Sequence, residues 1–147
     1  MSVPRSARTA VSDTLEAVRG DLCLPRVRVR WFKGARAYWD DSDSALCALS
    51  ERIRPGLRGA IVPGADPPVI WLRATLRPAI AALVAAHEAR YLWQQLTLGE
   101  DDRRSWHVPT SERDADEYAW NGALPSALKA RAHLAVAGRP LGRRFGL

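Results

Sequence analysis

The sequence predicts an α+β domain in which helices surround a small, mainly antiparallel sheet. Three observations support this class. A helix is predicted from residue 78 to residue 98, where a glycine follows. Residues 27–32 alternate apolar and basic side chains, as a half-buried strand does. Residues 60–72 contain two apolar segments separated by a turn rich in proline and glycine. We expect the helix at 78–98 to be the central element.

The first part of the chain is predicted to contain two helices and one strand. Apolar residues recur at helical spacing over residues 5–20, and Gly20 marks the expected end of this helix. The strand at 27–32 follows. An acidic cluster at 40–43 then leads into a helix at 44–54. Capping of that helix explains the cluster better than a calcium loop, because the spacing, central glycine and final glutamate of such a loop are missing.

The remaining elements are predicted from the same patterns. The two strand segments are 60–63 and 69–72, and Thr75 is expected to cap the central helix that follows. Further helices are expected at 111–120 and 125–137. The sequence therefore predicts five helices, with all three strands placed before the central one.

Length and composition limit the class of protein. The chain has 147 residues, 47% hydrophobic and 26% charged, which is typical of one globular domain. We assign this domain to residues 1–138 and expect 139–147 to be a flexible basic tail. No stretch is long and apolar enough for a membrane helix, and the first residues lack the apolar run of a secretory signal. We therefore expect a cytoplasmic protein without a membrane partner.

Cysteine content and charge exclude some functions and leave others open. Two cysteines, Cys23 and Cys47, are too few for a disulfide scaffold or a cysteine-rich zinc site, and their apolar neighbours favour buried free thiols. The net charge of +6 is compatible with contact to nucleic acid. No nucleic-acid-binding motif accompanies this charge, however, and the arginines at 26–30 also fit the solvated face of a strand.

Residues 84–95 carry the strongest functional signal. His87 and Glu88 are followed by Tyr91, four positions after the histidine. Helices of zinc proteases have the pattern His-Glu-x-x-His, in which both histidines bind one metal and the glutamate is the general base. Tyr91 stands where the second histidine belongs. Residues four apart lie about 40° from each other around a helix, so the two side chains share one face.

A second signal lies downstream. Glu112 and Asp116 are four residues apart, so they share one face of the helix predicted at 111–120. Glu112 follows Glu88 by 24 residues, which leaves room for a loop and an antiparallel helix. An exposed acidic helix face is the alternative explanation for this pair, just as a buried structural histidine is the alternative for His87.

Together these residues resemble the minimal zincin-type metallopeptidases. These are small His-Glu-x-x-His domains of bacterial and phage origin in which a glutamate is the third zinc ligand. The resemblance covers about residues 25–120 and is most specific at 84–90, at Trp93-Gln94 and at 112–119. An arginine at the second variable position of the motif and a following Trp-Gln pair are common in that group.

The resemblance implies a zincin-like fold with an edge strand at 69–73 that leads into the active-site helix. It implies that His87 and Glu112 bind zinc. It further implies that Glu88 is the general base and that Asp116 orients a ligand histidine. The implied reaction is hydrolysis of a peptide bond in a peptide or protein substrate.

Tyr91 is the departure from the family pattern. A phenol with a pKa near 10 must lose its proton to bind a metal well, whereas a neutral imidazole need not. In one arrangement Tyr91 is itself a ligand, or His107 in the following loop replaces the missing histidine. In the other arrangement Tyr91 fills the vacated space, with its hydroxyl bonded to Glu112 or His87.

Three functions follow from these alternatives. The first is a zincin-like metallopeptidase domain, active or degenerate. The second is a non-catalytic structural or interaction module that keeps the fold without zinc, in a phage particle or another protein assembly. Such a module would be located in the virion if a phage encodes it. The third, with the weakest support, is a regulatory protein that contacts nucleic acid through its basic surface.

Overall fold

The computed structural model describes residues 3–32, 58–62, 66–98 and 108–122. They form three helices and three strands, so the predicted α+β class is confirmed. The helices are α1 (Arg5–Leu22), α2 (Pro78–Thr97) and α3 (Val108–Asn121), and the strands are β1 (Arg28–Phe32), β2 (Gly59–Val62) and β3 (Val69–Arg73). The predictions for residues 40–54, Cys47, His107 and residues 125–147 lie outside the described residues.

The three described strands form a mixed sheet in the order β1-β3-β2. Strand β1 pairs parallel with β3, whereas β2 pairs antiparallel with β3, and Ile70 of β3 has Val29 and Ile61 as its two partners. The prediction of a mainly antiparallel sheet is therefore wrong. The short connection at 63–68 suits the antiparallel pair β2 and β3. The parallel strands β1 and β3 are separated by residues 33–68, which include β2 and are long enough for the connection that a parallel pair needs.

The predicted edge position of residues 69–73 is also wrong, because β3 lies between the other two strands. The first four residues of β3 are all buried. A run of consecutive buried side chains means that both faces of the strand are covered, as is usual for a central strand. The apolar run Val-Ile-Trp-Leu is the sequence signal for this position.

Helix α2 is the central element, as predicted. It contacts α1, α3, β2 and β3, and its residues 81–89 are all buried. A helix that is apolar on nearly every side is usually enclosed by its neighbours. Its N-cap is Arg77 rather than the predicted Thr75. Pro78 then occupies the first turn, where its missing N–H removes no helical hydrogen bond.

Helix α1 ends two residues later than predicted. It continues through Gly20 to Leu22, and Cys23 adopts the left-handed conformation with φ 53° while its N–H bonds to the carbonyl of Arg19. This is the usual geometry at a helix C-terminus, although glycine is the commoner residue there. Cys23 is exposed, so the predicted buried thiol is wrong at this position. The reason is that the cap lies beyond the packed face of α1.

Membrane insertion through these helices is not supported. None of α1, α2 and α3 has the length and apolar composition needed to cross a bilayer.

Gly59 lies where the sheet packs against α2. A Cβ atom at this residue would lie 2.6 Å from Cγ1 of Val84 and 2.9 Å from the carbonyl oxygen of Trp71. We expect Gly59→Ala to lower the free energy of unfolding by about 1–3 kcal/mol, the usual cost of overpacking a core. Denaturant titration measures this change.

The matched control is Gly20→Ala in α1. A Cβ atom at Gly20 meets nothing within 4 Å, and alanine is favoured over glycine inside a helix by about 0.5–1 kcal/mol. The control should therefore be slightly more stable than the parent. Equal losses of stability in the two variants would show that the close packing at Gly59 is not as described.

Candidate metal centre

Two helices bring the candidate ligands together. His87 belongs to α2, whereas Glu112 and Asp116 belong to α3. One imidazole nitrogen and one oxygen of each carboxylate all lie within 4.8 Å of one another. Within the described ranges, this is the group of histidine and carboxylate side chains whose spacing could hold a metal ion.

Small side chains allow α3 to pack beside α2. Ala115 and Ala119 are fully buried, and Ala119 belongs to the same core cluster as Ala85, Ala86 and Ala89 of α2. Close packing of these alanines brings polar side chains at the margins of the helix contact within reach of the opposite helix. Glu112 is 2% exposed as a result. A glutamate is rarely buried to this extent unless a charged or polar group is its partner.

His87 is fully buried and faces two carboxylates. Its Nδ1 lies 2.8 Å from Oδ1 of Asp116, and its Nε2 lies 3.4 Å from Oε2 of Glu112. The first contact has the distance of a hydrogen bond but not its alignment, and the second is longer than a normal N–H···O bond. Each ring nitrogen is therefore directed at a different acidic residue of α3.

The atoms Nε2 of His87 and Oε2 of Glu112 have no hydrogen-bond partner among the residues that the structure describes. A buried polar atom without a partner costs about 1–3 kcal/mol. Two ligand atoms that bind one tetrahedral zinc ion at 2.0–2.1 Å lie about 3.3 Å apart. The observed 3.4 Å separation is close to this value, so the pair fits a shared metal ion.

Tyr91 completes the cluster on α2. Its hydroxyl donates a hydrogen bond to Oε1 of Glu112. Its ring meets the imidazole of His87 edge to face, with the ring centroids 5.0 Å apart. The bond to Glu112 is the contact expected of a tyrosine that fills the position of a second histidine. It also places the phenol oxygen beside the carboxylate of a candidate ligand, as tyrosine ligation would require.

The electrostatics of the cluster favour positive charge. Burial alone lowers the pKa of His87, but the Asp116 contact and the negative charges of Glu88 and Glu112 outweigh it, so that this pKa is raised. Glu88 is itself 3% exposed, and its charge acts on His87. Two carboxylates thus contact one imidazole and the charge of a third acts on it, and a proton or a metal cation would reduce their mutual repulsion.

The structure thus brings together four of the predicted site residues, and the charge of Glu88 acts on one of them, His87. The four are His87, Tyr91, Glu112 and Asp116. The predicted substitute ligand, His107, lies outside the described residues.

A second set of polar contacts joins α2 and α3, and no role was predicted for its residues from the sequence. Arg90 and Gln94 of α2 both bond to Asp114 of α3. Their four-residue spacing places Arg90 and Gln94 on one helical face. That spacing was the available signal, but it does not identify the partner on the other helix.

Comparisons with known proteins add no independent line of argument. No protein-family model, curated protein or solved structure matches the chain significantly. The functional assignment therefore depends on the chemistry of the residues described above.

Proposed function

We propose that this chain is a zincin-like metallopeptidase domain with one zinc site between α2 and α3. The protein ligands would be His87, Tyr91 and Glu112. The observation that carries this proposal is the pair of buried atoms, Nε2 of His87 and Oε2 of Glu112, which lie 3.4 Å apart without a hydrogen-bond partner in the described part of the chain. Three protein ligands with one open position are the usual composition of a catalytic zinc site.

Asp116 would orient the histidine ligand. Its carboxylate lies 2.8 Å from Nδ1 of His87, which favours the tautomer that carries its proton on that nitrogen. The other nitrogen, Nε2, is then free to bind metal. A carboxylate behind a ligand histidine also makes the imidazole more basic and thereby a better ligand.

Glu112 and Tyr91 would act as a coupled pair. Oε1 of Glu112 accepts the hydrogen bond from the Tyr91 hydroxyl, while Oε2 faces His87. The tyrosine therefore holds the carboxylate in the orientation that directs Oε2 at the imidazole. That orientation belongs to the metal-free protein. On zinc binding the phenol proton would pass to solvent and this hydrogen bond would end, so that the Tyr91 oxygen would become an anionic ligand beside Nε2 of His87 and Oε2 of Glu112.

Glu88 would be the general base. Zinc, when bound, would polarise the scissile carbonyl and lower the pKa of a water molecule at the site. Glu88 would take a proton from that water and deliver it to the leaving amine. The residue follows His87 directly on α2, and its charge acts on the imidazole, which supports a position close to the reacting groups.

Elemental analysis tests the metal site. We expect close to one zinc ion per chain after the purified protein is supplied with zinc and the excess is removed. Glu112→Gln should lose most of this zinc, because a neutral amide replaces an anionic ligand. Glu117→Gln is the matched control, since Glu117 is exposed on the same helix; it should retain zinc. A parent protein that retains no zinc would contradict the proposal.

A non-catalytic module derived from the same fold, acting within a protein assembly, is the second candidate function. The hydrogen bond from Tyr91 to Glu112 favours it, because the phenol closes the position that a second histidine would occupy. Such a protein would bind no zinc after zinc is supplied. Its thermal unfolding would also be identical with and without a chelator, whereas a zinc protein loses stability when the metal is removed.

A further inference from the structure

We infer that Arg90, Gln94 and Asp114 position the candidate metal ligands of α3 by fixing the register of that helix against α2. These three residues are named the register clamp. The inference rests on the proposed metal site, but it concerns positioning residues that would themselves bind no metal.

Asp114 accepts three hydrogen bonds from α2. Arg90 donates two of them, from Nε to Oδ2 at 2.8 Å and from Nη2 to Oδ1 at 3.2 Å. Gln94 donates the third, from Nε2 to Oδ2 at 2.9 Å, and the same nitrogen lies 3.1 Å from the carbonyl oxygen of Ser111. Paired bonds between a planar guanidinium and a carboxylate restrict both distance and orientation. The clamp therefore resists both sliding and rotation of α3.

Aromatic rings hold Arg90 in place. Its guanidinium carbon lies 3.7 Å from the centroid of the Trp93 ring and 5.1 Å from that of Tyr118. The Tyr118 hydroxyl donates a hydrogen bond of 2.7 Å to Oδ2 of Asp21 in α1. The Arg90 and Asp114 side chains are only 18% and 26% exposed, so solvent screens this ion pair less than a surface pair.

The clamp and the candidate ligands lie on different sides of the same helix contact. Around α3, Asp114 is about 160° from both Glu112 and Asp116. The buried alanines Ala115 and Ala119 form the intervening strip. Contacts between methyl groups specify register weakly, because a shift of α3 along α2 would replace one alanine contact by a similar one. The polar groups at the two margins must therefore determine the register.

The carboxylates at the metal centre do not set the register by themselves. Glu88, Glu112 and Asp116 all place negative charge near His87, and like charges repel when no cation lies between them. This repulsion favours movement of α3 away from α2, against the contacts of His87 with Asp116 and of Tyr91 with Glu112 that hold the same margin together. The three hydrogen bonds to Asp114 oppose that movement at the other margin, so the clamp keeps the ligands in place before metal arrives.

The test combines zinc affinity with the NMR signals of the His87 imidazole in the metal-free protein. Asp114→Ala should raise the zinc dissociation constant about 10–100-fold, the usual effect of losing a residue that supports a ligand, and should shift the His87 signals. Arg90→Ala should do the same. The double variant should bind zinc as tightly as whichever single variant binds it less tightly, since the two residues act as one unit. Glu117→Ala, exposed on α3, should change neither measurement.

Conservative variants keep the test decisive if alanine prevents folding. Asp114→Asn keeps the size of the side chain, and Arg90→Lys keeps the charge but cannot form two parallel bonds. Both should weaken zinc binding less than alanine does. Variants that lose thermal stability while zinc affinity and His87 signals stay at parent values would overturn the clamp.

The two proposals fail in different ways. If the parent binds no zinc but Asp114→Asn still shifts the His87 signals of the metal-free protein, the metal site is wrong and the clamp stands. If the parent binds zinc and every clamp variant binds it equally well, the clamp is wrong and the metal site stands.

Discussion

Tyr91→His should tighten zinc binding by about 100-fold or more. A neutral imidazole binds zinc without first losing a proton, whereas a phenol must be ionised. The loss of a residue that merely supports a ligand already changes affinity about 10–100-fold, so a new direct ligand should have at least that effect. The hydroxyl of Tyr91 reaches Glu112 and its ring contacts His87, so a histidine here lies beside both candidate ligands.

Chelator competition measures the zinc affinity of the parent and the variant. Leu96→His is the control, because it adds an imidazole at an exposed position of α2, about 180° around the helix from His87. That variant should show no gain in affinity. If a folded Tyr91→His protein binds zinc no better than the parent, α2 and α3 do not converge on a metal site as proposed.

Glu88→Gln should lower the rate of peptide hydrolysis about 10²–10⁴-fold while zinc remains bound. An amide has nearly the shape of the carboxylate but cannot accept the proton of water, and loss of a general base typically has an effect of this size. The ligand atoms of His87, Tyr91 and Glu112 are unchanged, so metal content should stay at the parent value. Mass spectrometry of a defined peptide mixture measures cleavage, and elemental analysis measures zinc in the same samples.

Glu117→Gln is the control for Glu88→Gln, since it removes an exposed carboxylate from the surface of α3. It should cleave at the parent rate. A Glu88→Gln protein that still cleaves at that rate would show that the base is another group. A parent protein that binds zinc fully but cleaves no peptide would favour the non-catalytic module.

Whether Tyr91 binds zinc distinguishes the metallopeptidase from the non-catalytic module. The phenol oxygen lies beside Glu112 both in a tyrosine that fills space and in one that becomes a ligand, and the two states differ in whether the phenol keeps the proton that it donates to Glu112. Zinc content of the parent and zinc affinity of Tyr91→His measure that difference directly. Together these two measurements distinguish a zinc site in which Tyr91 is a ligand from a metal-free site in which Tyr91 fills the position of the zinc.

Some features of the fold could be predicted because their signals are local. The central helix was predicted at 78–98 and is found at Pro78–Thr97, because its signals are an apolar run and a first-turn proline within the segment and a glycine directly after it. The position of β3 was not predicted correctly. Whether a strand is central depends on which strands flank it. Of the two partners of β3, β2 directly precedes it in the sequence and β1 is remote, and neither segment carries a signal for the order of strands in the sheet.

The candidate site also has features that the sequence determined and features that only the tertiary structure determined. Periodicity alone determined that His87 and Tyr91 share one helical face and that Glu112 and Asp116 share another, because a turn of helix is set by bonds between residues four apart. Only the tertiary structure decided that these faces meet and that Asp114 bonds to Arg90. It also decided that Nε2 of His87 and Oε2 of Glu112 are buried together with no hydrogen-bond partner in the described ranges. Those contacts join residues more than twenty positions apart. The small alanines let the two helices approach closely, and the polar contacts at the two margins then set how the helices align.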